Sequence, residues 1–144
     1  MDTCAYNWYS RCLFFIKFLE ILYRTFQGTT ERSCKLCGYK SRPEDLILFN
    51  SGSKGIFCVF DCYSKRTDLI KRLFPKDHPG DIDVNEENIK ELRPTVEGYK
   101  RVWIISSHNL DLKGLIEKTL SESYNLSHYR AYLGIEVYVF EKNE

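Results

Sequence analysis

Apolar and polar positions in the second half of the chain predict a strand, a helix and a second strand. Val102 to Ser106 is an apolar run that ends in a hydroxyl. Leu112 to Tyr124 has helical spacing with Asp111 as its N-cap, and Gly134 to Phe140 is apolar again. A helix between two apolar strands is typical of a crossover unit that covers a sheet. This order of segments predicts an α/β fold.

The first half of the chain adds a further apolar run. Leu46 to Phe49 has no alternation, which is typical of a strand that is buried on both faces. Asn50 to Gly55 then predicts a loop at the carboxyl end of that strand. The run from Ile56 to Tyr63 is apolar and aromatic, and it is compatible with either a helix or a strand. Tyr129 to Leu133 predicts the start of a hairpin-like element before the last strand.

Short helices are predicted where a capping residue precedes a segment of helical spacing. The predicted segments are Thr29 or Thr30 to Cys37 with Gly38 as the C′ residue, Asp68 to Phe74 before Pro75, and Val84 to Leu92 with Asn85 as cap. Together with the strands they predict a single three-layer domain over residues 29–144. Its sheet is expected to be short, mainly parallel and covered by helices, in a Rossmann-like arrangement. A chain of 144 residues suits one such domain.

Residues 1–28 are predicted to form a separate, very apolar helix. Within Trp8 to Gln27 the polar residues form one narrow stripe, made of Lys17, Glu20, Arg24 and Gln27. A helix with so thin a polar face is expected to be buried on most sides. It is either a helix packed on the sheet, the seam of a homodimer or contact with a partner protein, or a helix lying against a membrane.

The composition of the chain indicates which classes of partner to expect, but it does not indicate a reaction. The formal net charge is +1, so no charge imbalance favours nucleic acid, and we expect none as a partner. Ten Tyr and nine Phe predict a ring-rich core or a surface that contacts sugar, lipid or another chain. We expect no signal peptide, and no apolar run reaches the roughly 18 residues that span a bilayer. Localisation therefore stays open between cytoplasmic and membrane-associated, and the six Cys are expected as free thiols.

Four of the cysteines have spacing that suggests a metal site. Cys34 and Cys37 form a CxxC followed by Gly38, and Cys58 and Cys62 follow with CxxxC spacing. Four thiolates could hold a tetrahedral Zn²⁺ ion, although no cofactor is required by any other feature. The alternative is that the cysteines are small core residues, which is the more frequent use of a free thiol. Redox chemistry is disfavoured because a glycine and a proline follow the CxxC.

A ligand site is predicted at the carboxyl ends of the strands, where open α/β sheets bind their ligands. The candidate ligand-binding residues are Asn50, Ser51, Gly52, Ser53, Asp61, Tyr63, Ser106, Ser107 and His108. The loop after the first strand matches neither the P-loop nor the dinucleotide-binding pattern, so it is equally compatible with a plain loop.

A hydrolase is a weaker alternative at the same edge. No GxSxG nucleophile elbow occurs in the chain. Ser107 and His108 are adjacent in one predicted strand, so their side chains are expected on opposite faces. Asp61 and Asp111 are available as acidic partners, but the sequence places neither beside a serine and a histidine. No residue is therefore assigned a catalytic role.

Several segments, taken in order, resemble the soluble, extramembrane C-terminal domain of polytopic GT-C glycosyltransferases. The family is that of the dolichyl-phosphate-mannose–protein mannosyltransferases of archaea and bacteria. The matching segments are Arg42-Pro-Glu-Asp-Leu-Ile-Leu-Phe-Asn50, Phe60-Asp-Cys-Tyr63, Glu97 to His108, and Gly134 to Glu141. Their order and spacing match that domain over roughly residues 29–142.

The resemblance implies an accessory domain rather than a whole transferase. Such enzymes contain many membrane-spanning helices and have their catalytic acids in an early extramembrane loop, and neither is present in this chain. The Trp8 to Gln27 segment lies where a final spanning helix would precede the domain. The resemblance therefore implies a non-catalytic domain that contacts a saccharide, a polyprenyl phosphate or a partner protein. The alternatives are the four-cysteine zinc module and a small hydrolase or transferase.

Overall fold

The computed structural model describes residues 28, 30–51, 55–76, 83–107 and 111–144. The predicted helix from Trp8 to Gln27 lies outside the described residues, so its role stays a prediction. Within the described residues, no helix is both long enough and apolar enough to cross a membrane.

The described residues form an alternating set of helices and strands. In chain order they are α1 (30–40), β1 (Leu46–Asn50), α2 (Gly55–Ser64), β2 (Ile70–Leu73), a 3-10 turn (Asn88–Glu91), α3 (Leu92–Val96), β3 (Arg101–Ser107), α4 (Leu115–Leu120), β4 (Tyr124–Tyr132) and β5 (Ile135–Lys142). The elements form one α/β domain, as the sequence predicts.

The strands form one five-stranded sheet in the order β2-β1-β3-β5-β4. β1 pairs in parallel with both β2 and β3, which gives the sheet a parallel core. β5 pairs antiparallel with both β3 and β4. The prediction that a crossover helix joins two parallel strands at this point is therefore wrong. The helix α4 leads instead to the edge strand β4, and a tight turn at Gly134, with φ of 73°, returns the chain as β5.

Helices cover both faces of the sheet, so the domain has three layers. On one face, alternate residues of β1 and β3 such as Leu48 and Ile104 pack against the 3-10 turn, α3 and α4. On the other face, Phe49 and Trp103 pack against α1 and α2. Because successive side chains in a strand point to opposite faces, an unbroken apolar run fills both cores at once.

A buried carboxylate joins the amino ends of β1 and β3. Asp45, which is 1% exposed, accepts hydrogen bonds from Arg101 at 2.6 and 2.9 Å and from the Trp103 indole at 2.9 Å. It also accepts the Arg42 backbone N–H at 2.8 Å. Burial of a charge is tolerated when it is paired and hydrogen-bonded, and this carboxylate pairs with Arg101 and accepts four hydrogen bonds at Oδ2.

Gly38 lies inside α1 and is not the C′ residue that the sequence predicts, because the helix continues to residue 40. A Cβ at this position would lie 2.6 Å from the Ser64 Cβ and 3.0 Å from the Ser64 Cα. Glycine is therefore required for the close approach of α1 to the end of α2. The Arg66 guanidinium donates to the Gly38 carbonyl at 2.9 Å and satisfies part of the helix C-terminus.

Two further predicted elements differ in the structure. The segment from Asp68 to Phe74 is not a helix but contains β2, since pairing with β1 satisfies its backbone groups and overrides a weak helical preference. The predicted helix from Val84 to Leu92 is mostly a 3-10 turn, although Asn85 does accept backbone N–H groups at 2.9 and 3.0 Å as its predicted cap.

Candidate functional site

The predicted ligand edge coincides with the point where the strand order reverses. The chain leaves β1 through α2 to β2 on one side, and then crosses β1 to reach β3 on the other. In open α/β sheets the crevice outside the carboxyl ends of such strands is the usual ligand site. Asn50 at the end of β1 and Ser106 near the end of β3 are paired in register at this point.

Asn50 and Ser106 are bonded to each other rather than free. The Ser106 hydroxyl donates to Asn50 Oδ1 at 3.0 Å, and Asn50 Nδ2 donates to the Phe74 carbonyl at 3.1 Å. Both side chains are buried. The amide thus ties β1 to β3 and to the residue after β2, so it fixes the geometry of the carboxyl edge.

A small cavity of about 40 Å³ opens beside this pair, on the face that α4 covers. Its lining residues are Ile104, Ser106, Asp111, Gly114, Ile116, Glu117, Glu136, Tyr138 and Phe140. A cavity of that volume holds a few water molecules or one small polar group of a ligand. We call it the edge cavity.

The carboxylate of Asp111 at the edge cavity is already hydrogen-bonded to backbone groups at the start of α4. Its two carboxylate oxygens accept the backbone N–H groups of Leu115 and Ile116, each at 2.8 Å. The sequence predicts this cap, although the helix it caps is shorter than predicted and ends at Leu120. Because a carboxylate already satisfies these N–H groups, the helix end does not offer them to an anionic ligand.

Glu136 and Tyr138 line the edge cavity, and with Tyr129 on the neighbouring strand they form a Tyr–Glu–Tyr cluster. The Tyr129 hydroxyl donates to Glu136 Oε1 at 2.8 Å and the Tyr138 hydroxyl donates to Glu136 Oε2 at 3.1 Å. The two rings are direct cross-strand partners, with centroids 4.9 Å apart. Tyr129 is 47% exposed, whereas Tyr138 is half-buried and stacks on Phe140. The cluster therefore presents one aromatic surface to solvent beside a carboxylate.

Both phenols in this cluster stay protonated at neutral pH. Burial, and then the negative charge of Glu136, raise the pKa of Tyr138 well above its ordinary range. The hydrogen bond to Glu136 raises the pKa of Tyr129. Both hydroxyls therefore act as hydrogen-bond donors rather than as bases.

The charge of the edge cavity limits what it accepts. Asp111, Glu117 and Glu136 contribute three carboxylates, and none of the described residues that line the cavity is basic. Carboxylates accept hydrogen bonds from hydroxyl and ammonium groups and repel phosphate. The cavity therefore favours a neutral hydroxyl-bearing or a cationic group over an anion.

A larger groove of about 340 Å³ lies at the other edge of the sheet, between α3, α4 and the end of β5. Its lining includes Arg93, Glu97, Tyr124 and Lys142. Arg93 pairs with Glu122, and the Tyr124 hydroxyl donates to backbone carbonyls of the α3 end. Arg93 and the Tyr124 hydroxyl therefore have partners within the chain, and the one aromatic side chain among the described lining residues, Tyr124, is buried.

The structure brings together only part of the predicted site. Asn50 and Ser106 meet, and Ser51 follows directly at the edge. Asp61 and Tyr63 do not join them, because both lie in the second half of α2, where the helix has run back toward the amino ends of the strands. Asp61 pairs instead with Lys71 of β2. The predicted residues outside the described part are Gly52, Ser53, His108 and the side chain of Ser107.

The four cysteines of the predicted zinc site fall into a buried and an exposed pair. Cys34 and Cys37 pack in the core between α1 and the sheet, whereas Cys58 and Cys62 are exposed on α2. Burial raises the pKa of Cys34 to about 11 and that of Cys37 further, so both buried thiols stay protonated. Within the described residues, no three His, Cys, Asp or Glu side chains are grouped to hold one metal ion.

Sequence analysis missed the Tyr–Glu–Tyr cluster. The signal in the sequence is the alternation of β5, where Ile135, Val137 and Val139 are apolar while Glu136 and Tyr138 occupy the intervening positions. That alternation predicts that Glu136 and Tyr138 share a face. Their position beside Ser106 depends on the antiparallel pairing of β5 with β3, which the sequence does not predict.

The fold and the edge cavity define an open-sheet α/β domain with an acidic, aromatic cavity at a strand-order reversal. No protein-family model matches the chain, and no curated protein matches it significantly. Among solved structures it is similar to the 16S rRNA methylase RmtB, with 10% identity and a TM-score of 0.38. The match covers 81% of this chain and spans 63% of the length of the methylase chain. Values this low do not transfer an activity.

Proposed function

We propose that the chain is a non-catalytic ligand-binding domain whose edge cavity and Tyr–Glu–Tyr cluster bind a saccharide. The proposal joins two lines of argument. One is the resemblance of residues 29–142 to the accessory domain of GT-C mannosyltransferases. The other is the chemistry of the edge cavity and its rim, where carboxylates lie beside the half-buried ring of Tyr138 and the exposed ring of Tyr129.

The observation that supports this most is the position of Tyr129 and Tyr138 beside Glu136. Aromatic rings pack against the apolar face of a sugar, and carboxylates accept its hydroxyl protons in strong, charge-assisted bonds. Both rings are held by the same carboxylate, at 2.8 and 3.1 Å, and a rigid site loses little entropy when it binds.

The size of the edge cavity sets the binding mode. About 40 Å³ admits one small group, such as a hydroxymethyl, and not a whole sugar ring. The ring of the sugar would then lie over the exposed face of Tyr129, outside the cavity. We therefore expect the domain to bind the end of a saccharide weakly, as one contact within a larger assembly.

The three carboxylates of the edge cavity disfavour a polyprenyl phosphate, the other ligand class that the sequence resemblance implies. A polyprenyl phosphate would bring its negative charge toward Asp111, Glu117 and Glu136, with no basic group among the described lining residues to offset it. A hydrolase is also less well supported. Ser106 donates to the neutral amide of Asn50, which cannot accept the proton of a nucleophile, and the carboxylates of Asp111 and Glu136 in the same cavity are hydrogen-bonded to other groups.

A glycan array with purified full-length protein tests the proposal. We expect weak but selective binding to neutral oligosaccharides, lost in Glu136→Gln and reduced in Tyr138→Phe. Tyr39→Phe is the matched control, since Tyr39 is 91% exposed on α1, on the far face of the sheet. Equal binding by wild type and Glu136→Gln, or selective capture of phosphorylated glycans, would contradict the proposal.

A further inference from the structure

Two exposed thiols lie one turn apart on α2. Cys58 and Cys62 are four positions apart in the helix Gly55–Ser64, and both side chains are exposed. Residues at this spacing lie on the same face of a helix. The two thiols therefore point to the same side of the domain, away from the sheet.

Packing does not explain this pair as it explains the other two cysteines. Cys34 and Cys37 fill the core beneath α1, which is the common use of a free thiol. Neither Cys58 nor Cys62 belongs to a buried core cluster, and Val59, which follows Cys58 on the helix, is itself 38% exposed. An exposed pair at helical spacing therefore suggests a chemical role for the sulfur atoms.

The helix geometry favours a shared metal ion over a disulfide. Side chains four residues apart have Cβ atoms roughly 5–6 Å from each other. A disulfide needs about 3.5–4.5 Å, so it would require distortion of α2. Two Zn–S bonds of about 2.3 Å at a tetrahedral angle place the sulfurs roughly 3.8 Å apart, which rotation about χ1 can reach. The same spacing places two histidines on one zinc ion in helical metal motifs.

One copy of the chain provides only half of a tetrahedral site. The nearest acidic residue on the helix, Asp61, is already paired with Lys71 of β2. A second copy of α2 offers the same two thiols, and a two-fold axis through the ion would bring both pairs together. Val59 of each copy would then lie close to the axis and add an apolar contact. A two-fold contact needs one self-complementary patch, and this face of α2 provides it.

We propose that Cys58 and Cys62 are a bidentate thiolate site for Zn²⁺, and that two copies of the chain share one ion through four thiolates. Each thiol loses its proton to solvent when the Zn–S bond forms, and nothing is oxidised or reduced. The site is separate from the edge cavity, because α2 and α4 cover opposite faces of the sheet. Zinc would thereby set the assembly state without contacting the saccharide.

Native mass spectrometry of the reduced full-length chain with added ZnCl₂ tests this proposal. We expect a dimer that contains one zinc ion per two chains. Cys58→Ser and Cys62→Ser should each lose the ion and the dimer together, while circular dichroism shows an unchanged fold because both side chains are exposed. A chain with Cys4→Ser and Cys12→Ser is the matched control and should behave as wild type.

Three results would overturn the proposal. One is that the chain binds no zinc when zinc is present at micromolar concentration. Another is that a monomer binds one zinc ion without forming a dimer. The third is loss of zinc in the Cys4→Ser, Cys12→Ser control with retention in Cys58→Ser. Glycan binding by Cys58→Ser is measured in parallel, because the two proposals then fail or succeed separately.

Discussion

Replacement of Asp45 by alanine is expected to destabilise the domain more than any other change to an ion pair described here. The substitution removes the acceptor of the Arg101 guanidinium and of the Trp103 indole N–H. It leaves the Arg101 side chain 15% exposed, with Glu141 at 4.0 Å and the Lys40 carbonyl as its remaining partners. A largely buried cation would thus lose its close counter-charge.

The expected loss of stability follows from the groups that lose their partner, which are the Arg101 guanidinium and the Trp103 indole N–H. Removal of one partner of a buried ion pair costs about 3–5 kcal/mol, because the other charge stays without compensation. The indole N–H adds an unsatisfied donor, which costs about 1–3 kcal/mol if no water replaces the carboxylate. These terms overlap, so we expect a loss of about 3–5 kcal/mol for Asp45→Ala. That is a large share of the roughly 5–15 kcal/mol that stabilises a typical domain.

Urea unfolding followed by circular dichroism measures this loss. Asp68→Ala is the matched control, since Asp68 forms an exposed pair with Arg66 and such pairs contribute at most about 1 kcal/mol. Asp45→Asn should fall between the two, because an amide oxygen still accepts from the indole but has no charge for Arg101. A loss below 1 kcal/mol for Asp45→Ala, equal to that of the control, would refute the reasoning.

Two other variants test the packing and the buried thiols. Gly38→Ala should cost about 1–3 kcal/mol in the urea assay through the clash with Ser64, whereas Gly28→Ala, with nothing within 4 Å of the new Cβ, should be neutral or slightly stabilising. An equal change in the free energy of unfolding for Gly38→Ala and Gly28→Ala would contradict the view that glycine is required at position 38. Burial raises the pKa of Cys34 to about 11, so its thiol favours folding below about pH 8.5, and that contribution falls as pH rises toward 11 because only the unfolded chain ionises. The urea midpoint of Cys34→Ala should therefore fall less steeply over this range than that of wild type, and parallel curves would contradict it.

The parts of the fold predicted from sequence are those with strong local signals. Leu46 to Phe49 and Val102 to Ile105 are unbroken apolar runs, and such runs specify central strands that are buried on both faces. β2 was missed because two of its four residues, Lys71 and Arg72, are charged, which interrupts the apolar pattern. Its strand conformation depends on pairing with β1, which local preference does not contain.

The residues of the candidate site also differ in how far the sequence predicts their positions. Asn50 and Ser106 could be predicted as neighbours because the carboxyl ends of parallel strands meet at one edge of a sheet. Asp61 and Tyr63 belong to a segment whose pattern does not distinguish a helix from a strand, and as part of α2 they lie away from that edge. Glu136 was missed because only the antiparallel register of β5 sets it opposite Ser106.

The measurement that tests the central proposal most directly is a chemical-shift map of the ¹⁵N-labelled protein titrated with neutral oligosaccharides. We predict saturable shifts at the backbone amides of Ser106, Glu136 and Tyr138, with Tyr39 unaffected. Inorganic phosphate at the same concentration should leave the edge cavity unperturbed. Shifts that map to the α1 and α2 face, or phosphate shifts at Glu136 with no effect of sugar, would contradict saccharide binding at the edge cavity.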